Sequence, residues 1–455
     1  MEQIQNKNDM ILLFDTYGEE SKKLHDSFKL SGFNPLTVVI EDDGFLPDDV
    51  QSVTGFFLGD YTKADHVSGR PLYFNEVVVP DYWEISGNNQ SGKIHNMEME
   101  RGRIFYAKPE HKRHVKVVDW LDEKGVVRFC DHYNRYGALY ARTTMNAKGQ
   151  KVMKTYYSPE GKEVLVINHV TGDIILNDEG KTLFFKDMEA LTIHYFLRAD
   201  LQQTRIFYNS LWHSFFVSQR LASSVKSDVL FWNEPKRPDI PGNMQVILDS
   251  NAARTNRILV QKRAAYEELI RLGADPSKLD LLGYVYPFEK QNGHGRDALI
   301  CTNSDNIAHL KELVEGLPEI HFHVAALTEM SSKLMAYGSY ENVSLYPNVR
   351  MKVLDELFMK SDWYFDVNHE NEIVSAVSRA FLFNHLIVAF RETLHNEEYV
   401  APNHIYSKKD VTEMLADVKA MLLAEELLEK HLKEQRHHAC AEETDRFASV
   451  IEGLN

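Results

Sequence analysis

The sequence predicts an α/β protein of two doubly wound domains, the first interrupted by an antiparallel β-meander. Three observations predict it. Residues 10–40 and 362–390 each read as strand, connection, helix and strand. Between about 53 and 186, by contrast, short aromatic and β-branched runs alternate with glycine turns. Strands alternating with helical stretches imply a parallel sheet, whereas closely spaced short strands imply hairpins.

Taken in order, residues 10–15 (MILLFD) form an apolar run closing on a carboxylate, the first strand. Leu24, Phe28 and Leu30 mark a helical stripe through 19–30, and Ser31-Gly32 stops it. Residues 36–40 are the next strand. The meander is punctuated by Ser86-Gly87-Asn88, Glu123-Lys124-Gly125, Ala147-Lys148-Gly149, Pro159-Glu160-Gly161 and Asp178-Glu179-Gly180. Each supplies glycine where a tight hairpin needs positive φ. After Leu191 the α/β alternation resumes, with strands expected at 228–232, 244–248 and 257–260. A helix at 264–272 and a strand at 279–286 follow.

A polar linker, 287–296, leads to the second domain. Its strands are expected at 299–302, 321–325 and 343–346, and its helices at 306–314, 329–336 and 352–359. In the block 362–390, Trp363 to Val367 is a strand and 368–371 a polar break. Ile373, Val377, Ala380 and Phe381 then recur at helical spacing, and 386–390 is short and apolar enough for a buried parallel strand. The tail, 410–454, is helical by period. The expected division is 1–52 with 190–287 as the first domain, 53–189 as the insertion, and 288–455 as the second domain with terminal helices.

The chain has 455 residues, 44% of them apolar and 11% aromatic, which suits a globular protein with large cores. A net charge of −16 opposes broad nucleic-acid binding. Cys130, Cys301 and Cys440 stand in no metal or redox spacing, so a reducing cytoplasm without disulfides is expected. The amino terminus (MEQIQNKNDM) is polar and reads as no signal peptide. No apolar run reaches the roughly 20 residues that span a bilayer.

The block 362–390 resembles the late part of the second domain of retaining GT-B glycosyltransferases. Arg379-Ala380 falls where that family has Glu-Ala, Asn384 at its glycine, Leu386 at its proline, and Ile387-Val388-Ala389 at its following strand. Eight residues before Arg379 stands Asn371, flanked by Glu370 and Glu372. The resemblance implies a GT-B-like frame of two Rossmann-type domains facing each other across a cleft. It also implies that the ribose-gripping carboxylate is an arginine, which donates hydrogen bonds and accepts none.

Longer phrases narrow the resemblance: FDTYGEESKKLHDSFKLSGF, EDDGFLPDDV, PDYWEISG, RGRIFYAKPEHKRHVKVVDW, PGNMQVILDS and GYVYPFE. They are similar to the glycosyltransferase-stabilising subunits of bacterial O-GlcNAc transferase complexes, which modify serine-rich-repeat adhesins before accessory Sec export. What this implies is a non-catalytic subunit paired with a catalytic GT-B transferase that holds UDP-GlcNAc and modifies a Ser/Thr-rich polypeptide. It further implies a cytoplasmic location, with the inner face of the cell membrane within reach. An autonomous glycosyltransferase with an atypical donor site and a carbohydrate-binding scaffold are the alternatives.

No catalytic residue, cofactor or metal is expected. The degenerate donor-like or sugar-binding cleft is expected at Asn303, Ser304, Asn368, His369, Glu370, Asn371, Glu372 and Arg379. Its plainer reading is a polar loop capping the next helix, with Asn371 or Glu370 near the positive end. After Cys301 no Arg or Lys appears until Lys311, so a diphosphate has no obvious counter-charge. Asp15 is expected as a helix cap. The candidate partner or acceptor surface is Arg101, Arg103, Tyr106, Lys112 and Arg113, a basic run in an acidic chain. Its plainer reading is a solvated strand face. His321 and His323 alternate on a strand and so share a face.

Overall fold

The computed structural model describes residues 10–63, 67–221 and 227–454. The amino-terminal residues 1–9, read above as no signal peptide, lie outside them. The chain divides into two compact units, Met1–Leu282 with Ala448–Asn455, and Gly283–Phe447. Among the described residues no helix is long and apolar enough to cross a membrane.

The first unit opens with β1 (Met10–Phe14), α1 (Glu19–Leu30), β2 (Leu36–Val39), β3 (Val50–Ser52) and α2 (Val53–Leu58). Ten strands follow, β4 (Glu84–Gly87) through β13 (Lys181–Phe185), every one paired antiparallel with its sequence neighbour. Then come α3 (Met188–Arg198), β14 (Arg205–Tyr208), α4 (His213–Arg220), β15 (Asp228–Trp232), α5 (Gly242–Leu248), β16 (Thr255–Val260), α6 (Arg263–Arg271) and β17 (Leu279–Leu281). The parallel sheet runs β17-β16-β15-β14-β1-β2-β3. Connections leave β1 and β14 toward opposite edges, so the switch point lies between these two strands.

One core joins the two sheets of this unit. Ile11, Leu13, Val38 and Ile206 from the parallel sheet share it with Tyr140, Tyr156, Leu165 and Leu176 from the meander. Val53 and Leu58 on α2, and Leu191 and Tyr195 on α3, are also buried in it. The early strands of the meander close a smaller core around Ile94, Ile104, Tyr106, Val115 and Val118.

The second unit runs β18 (Asp297–Cys301), α7 (Leu310–Gly316), β19 (His321–Ala325), α8 (Ser332–Met335), β20 (Val343–Tyr346) and α9 (Met351–Lys360). It continues with β21 (Trp363–Asp366), α10 (Ala376–Leu382), β22 (Leu386–Phe390), β23 (Ile405–Tyr406), α11 (Val411–Leu423) and α12 (Glu425–His438). Its parallel sheet is β20-β19-β18-β21-β22-β23. A last helix, α13 (Thr444–Glu452), carries the chain back to the first unit.

Several expectations need correcting. Residues 244–248 form a helix. Pro241 precedes its first turn, and Met244, Ile247 and Leu248 bury one face at helical spacing. A five-residue apolar run does not distinguish strand from helix. Residues 53–58 are also helical, because Ser52 Oγ accepts the Gly55 N–H and caps the turn. The antiparallel sheet therefore starts at Glu84, not near 53. The expected helices at 306–314 and 329–336 start later, at Leu310 and Ser332, and the latter is a single turn. The expected strand 279–286 keeps only its first three residues. Beyond it, Tyr284 makes one bridge to Ala441.

Candidate functional site

The donor-like loop follows β21, at the carboxyl end of a buried parallel strand. The loop after the neighbouring β18 is stitched to it. Ala308 N–H donates to Val367 O at 2.8 Å, and His369 N–H to Asn306 O at 3.0 Å. This brings Asn303, Ser304, Asn368, His369 and Glu370 onto two adjoining connections. Asn303 accepts the Leu327 N–H at 2.9 Å, and Ser304 N–H donates to Thr302 Oγ1 at 3.0 Å. Asn368 is buried. It accepts from Thr302 Oγ1 at 2.9 Å and donates to Glu370 O at 3.0 Å. Glu370 and Asn371 are exposed.

Two groups that sequence reasoning missed hold this loop from afar. Asp366, at the end of β21, is buried and accepts from His395 twice, through the backbone N–H at 2.8 Å and Nδ1 at 2.5 Å. His395 Nε2 donates to Glu370 O at 2.6 Å. Lys408 Nζ donates to His369 Nε2 at 2.8 Å. The hydrogen bond to Asp366 raises the His395 imidazole to about 9, against the opposing pull of burial. At neutral pH it is an imidazolium donating from both nitrogens.

A folded-state value above the ordinary 6.5 means stabilisation that is complete below about 6.5 and lost as pH rises through 9. The melting temperature of the chain is therefore expected to fall between pH 7 and 9.5. In His395→Ala it starts lower and loses this slope, which thermal unfolding across that range will show.

Glu372, not Asn371 or Glu370, caps the next helix, accepting the Val377 N–H at 2.8 Å in the first turn of α10. Val374 and Ser375, just before α10, sit at φ 50° and 52°. Two successive left-handed residues, one of them β-branched, are strained, and the surrounding loop contacts hold them there. Arg379 turns to α9. Its Nη2 donates to Asp355 Oδ1 at 2.5 Å and its guanidinium lies 4.3 Å from the Phe358 ring centroid. Complete burial pushes the nearby Cys301 thiol up to about 12, so it is not a nucleophile.

In the first unit, Asp15 does cap a helix, but α4 and not α1. Its Oδ1 accepts the Ser214 N–H at 2.8 Å and its Oδ2 accepts Ser210 Oγ at 2.5 Å. A cavity of 510 Å³ adjoins it at the β1/β14 switch point, lined by Thr16, Glu19, Glu20 and Asn209. Among the described residues no basic side chain lines it, which disfavours a phosphate there.

The basic run of the meander is held in part by one ion pair and in part by neutral groups. Arg103 pairs with Glu100 at 2.6 Å, and Arg113 donates to Asn89 at 2.8 Å. Arg101 lies over Trp83 at 5.3 Å. Arg103 and Lys112 are exposed, but Tyr106 faces inward and is buried in the smaller core. It therefore offers no surface to a partner, because alternation along its strand turns it to the packed face. His321 and His323 do share a face. They are hydrogen-bonded to Ser344 and to Asp297 at 2.8 and 2.7 Å.

Family profiles match the chain in four segments. They are the GtfB N-terminal domain at 11–57, the GtfB middle domain at 83–186, the GtfB third domain at 189–272 and the GftB/GlyA-F C-terminal domain at 298–435. The UDP-N-acetylglucosamine–peptide N-acetylglucosaminyltransferase stabilizing protein GtfB of Streptococcus gordonii is 42% identical over 448 residues. The match covers 98% of this chain and 99% of that protein. Its counterpart in Streptococcus agalactiae is 42% identical over 446 residues, covering 98% and 99%. The crystal structure of a GtfA/B complex bound to UDP and GlcNAc contains a chain that superposes with a TM-score of 0.91 at 41% identity. That match covers 98% of this chain and 100% of the other.

Proposed function

Because the chain belongs to the GtfB family of glycosyltransferase-stabilising proteins, we propose that it is the non-catalytic subunit of a UDP-GlcNAc–peptide O-GlcNAc transferase complex. The observation that carries this reading is the closed donor-like loop. Glu372 commits its carboxylate to a helix N-terminus, and Arg379 is held by Asp355 and Phe358. The position that the glycosyltransferase resemblance assigns to a ribose-binding acid is thus a donor facing a neighbouring helix.

The catalytic partner holds the nucleotide sugar in this reading. Association stabilises it by mass action, since the partner binds the folded and not the unfolded state. The acceptor is a Ser/Thr-rich, disordered polypeptide, recognised through polar surface that tolerates many sequences. Serine-rich-repeat adhesins awaiting export fit that description, and work at the inner face of the membrane follows from it. The insertion at 53–189, with Arg103 and Lys112 exposed, is the add-on whose surface we assign to partner or acceptor contact. Asn303, Ser304, Asn368, His369, Glu370, Asn371 and Glu372 are then a remnant of a donor site.

The test is transfer from UDP-GlcNAc to a Ser/Thr-rich substrate by this chain alone, by the catalytic subunit alone, and by the two co-expressed. No turnover by the chain alone is expected, with full turnover and higher soluble yield of the catalytic subunit in the pair. Glu372→Gln is expected to leave the pair's rate within about twofold. Turnover by the isolated chain that disappears in Glu372→Gln would mean an autonomous enzyme. A catalytic subunit indifferent to co-expression would mean an unrelated scaffold.

A further inference from the structure

A second cluster lies in the other half of the second unit, away from the donor-like loop. His404 closes a turn just before β23, and its side chain is fully buried. Its Nε2 lies 2.8 Å from Nδ1 of His431, on α12. One helical turn on, Glu434 places Oε2 3.8 Å from the same His431 nitrogen. One potential ligand atom from each residue lies within 4.8 Å of the others. Among the described residues His404 Nδ1 has no hydrogen-bond partner.

Two imidazole nitrogens that face each other need either one proton or one cation between them. Here the Glu434 carboxylate stands beside the pair, on the same side as the facing nitrogens.

We propose that His404, His431 and Glu434 bind one divalent transition-metal ion of the zinc class. Two imidazoles and a carboxylate are the protein donor set of three-ligand zinc sites, whose fourth position is left to water. With Zn–N near 2.0–2.1 Å, tetrahedral geometry sets the two nitrogens about 3.3 Å apart. The rings need to part by about half an ångström from the observed 2.8 Å, and the Glu434 oxygen to close in from 3.8 Å. Asn403 Nδ2 already donates to Glu434 Oε2 at 2.9 Å, the kind of outer contact that orients a ligating carboxylate. Asn403 and Glu434 also line an open cavity of 1390 Å³, which gives an ion a path from solvent. The ion ties the edge of the sheet at β23 to α12, so its binding adds to the stability of the second unit.

The experiment uses the full chain, stripped with a chelator and then titrated with Zn²⁺ by calorimetry and with Co²⁺ by visible absorption. One ion per chain, the d–d bands of four-coordinate cobalt, and a melting temperature that rises with zinc are expected. His431→Ala and Glu434→Gln are expected to weaken binding by about 100-fold or more with an unchanged far-ultraviolet spectrum. His438→Ala, which lines the same cavity, keeps full affinity. The absence of cobalt bands, or zinc binding that survives both His431→Ala and Glu434→Gln, would overturn the proposal and leave a hydrogen-bonded cluster only.

Discussion

Arg254→Met is expected to destabilise the first unit by about 3–5 kcal/mol, the cost of leaving a buried charge without its partner. Arg254 and Asp228 are 1% and 0% exposed. Nε lies 2.9 Å from Asp228 Oδ2, and Nη2 donates to Oδ1 at 3.1 Å. The same guanidinium donates to Gln202 O at 2.6 Å and Thr204 O at 2.7 Å, on the segment that feeds β14. Asp228 also accepts the Ile206 N–H at 3.0 Å and Ser218 Oγ at 2.8 Å. One ion pair thus fixes the start of three adjacent strands, β14, β15 and β16.

Urea unfolding checks this through a midpoint well below that of the parent protein. The double variant Asp228→Leu/Arg254→Met is expected to recover part of the loss, because an apolar pair removes the uncompensated charge. Recovery stays partial, since Ile206 and Ser218 lose their acceptor.

The second large effect is expected at Gly283, the first residue of the second unit. A Cβ there meets the Cys440 carbonyl oxygen at 1.8 Å and its carbon at 2.8 Å. These are backbone atoms, so no rotamer relieves the clash. The two segments are tied by Tyr284 N–H to Cys440 O at 2.9 Å, Glu442 N–H to Tyr284 O at 2.8 Å and Tyr286 Oη to Ala439 O at 2.9 Å. Gly283→Ala has to spread them. Its expected cost is about 2–4 kcal/mol, from overpacking plus weakened hydrogen bonds. Gly242→Ala, at the start of α5 with nothing within 4 Å, is the control expected to leave the melting temperature unchanged or slightly raised.

The meander was legible because its turns carry their own chemistry. Gly125, Gly149, Gly161 and Gly180 adopt φ between 72° and 77°, a region that side chains disfavour, whereas Gly87 ends a strand and the turn follows it at 88–90. The block 362–390 was legible in its strands and helical face. Its left-handed Val374 and Ser375 were not, since neither residue type announces that conformation. Residues 244–248 misled because apolarity without length carries no period.

The site was legible only where its residues are close in sequence. The polar break at 368–372 could be read from the sequence because it directly follows a strand. His395 and Lys408 were missed, because tertiary folding brings them to the loop from other connections. The pair His404 and His431 was hidden in the same way, 27 residues apart. Tyr106 was misplaced because a basic run on one face of a strand says nothing about the residue between.

Residues 448–455 group with the first unit although they are translated after all of Gly283–Phe447. Ile451 is buried, and Arg205 donates to Leu454 O at 3.2 Å. During synthesis the earlier-made unit therefore waits, lacking a piece of its interior, until the later one has emerged from the ribosome. Vectorial N-terminal-first folding is therefore incomplete for such a topology until the last helix has been made.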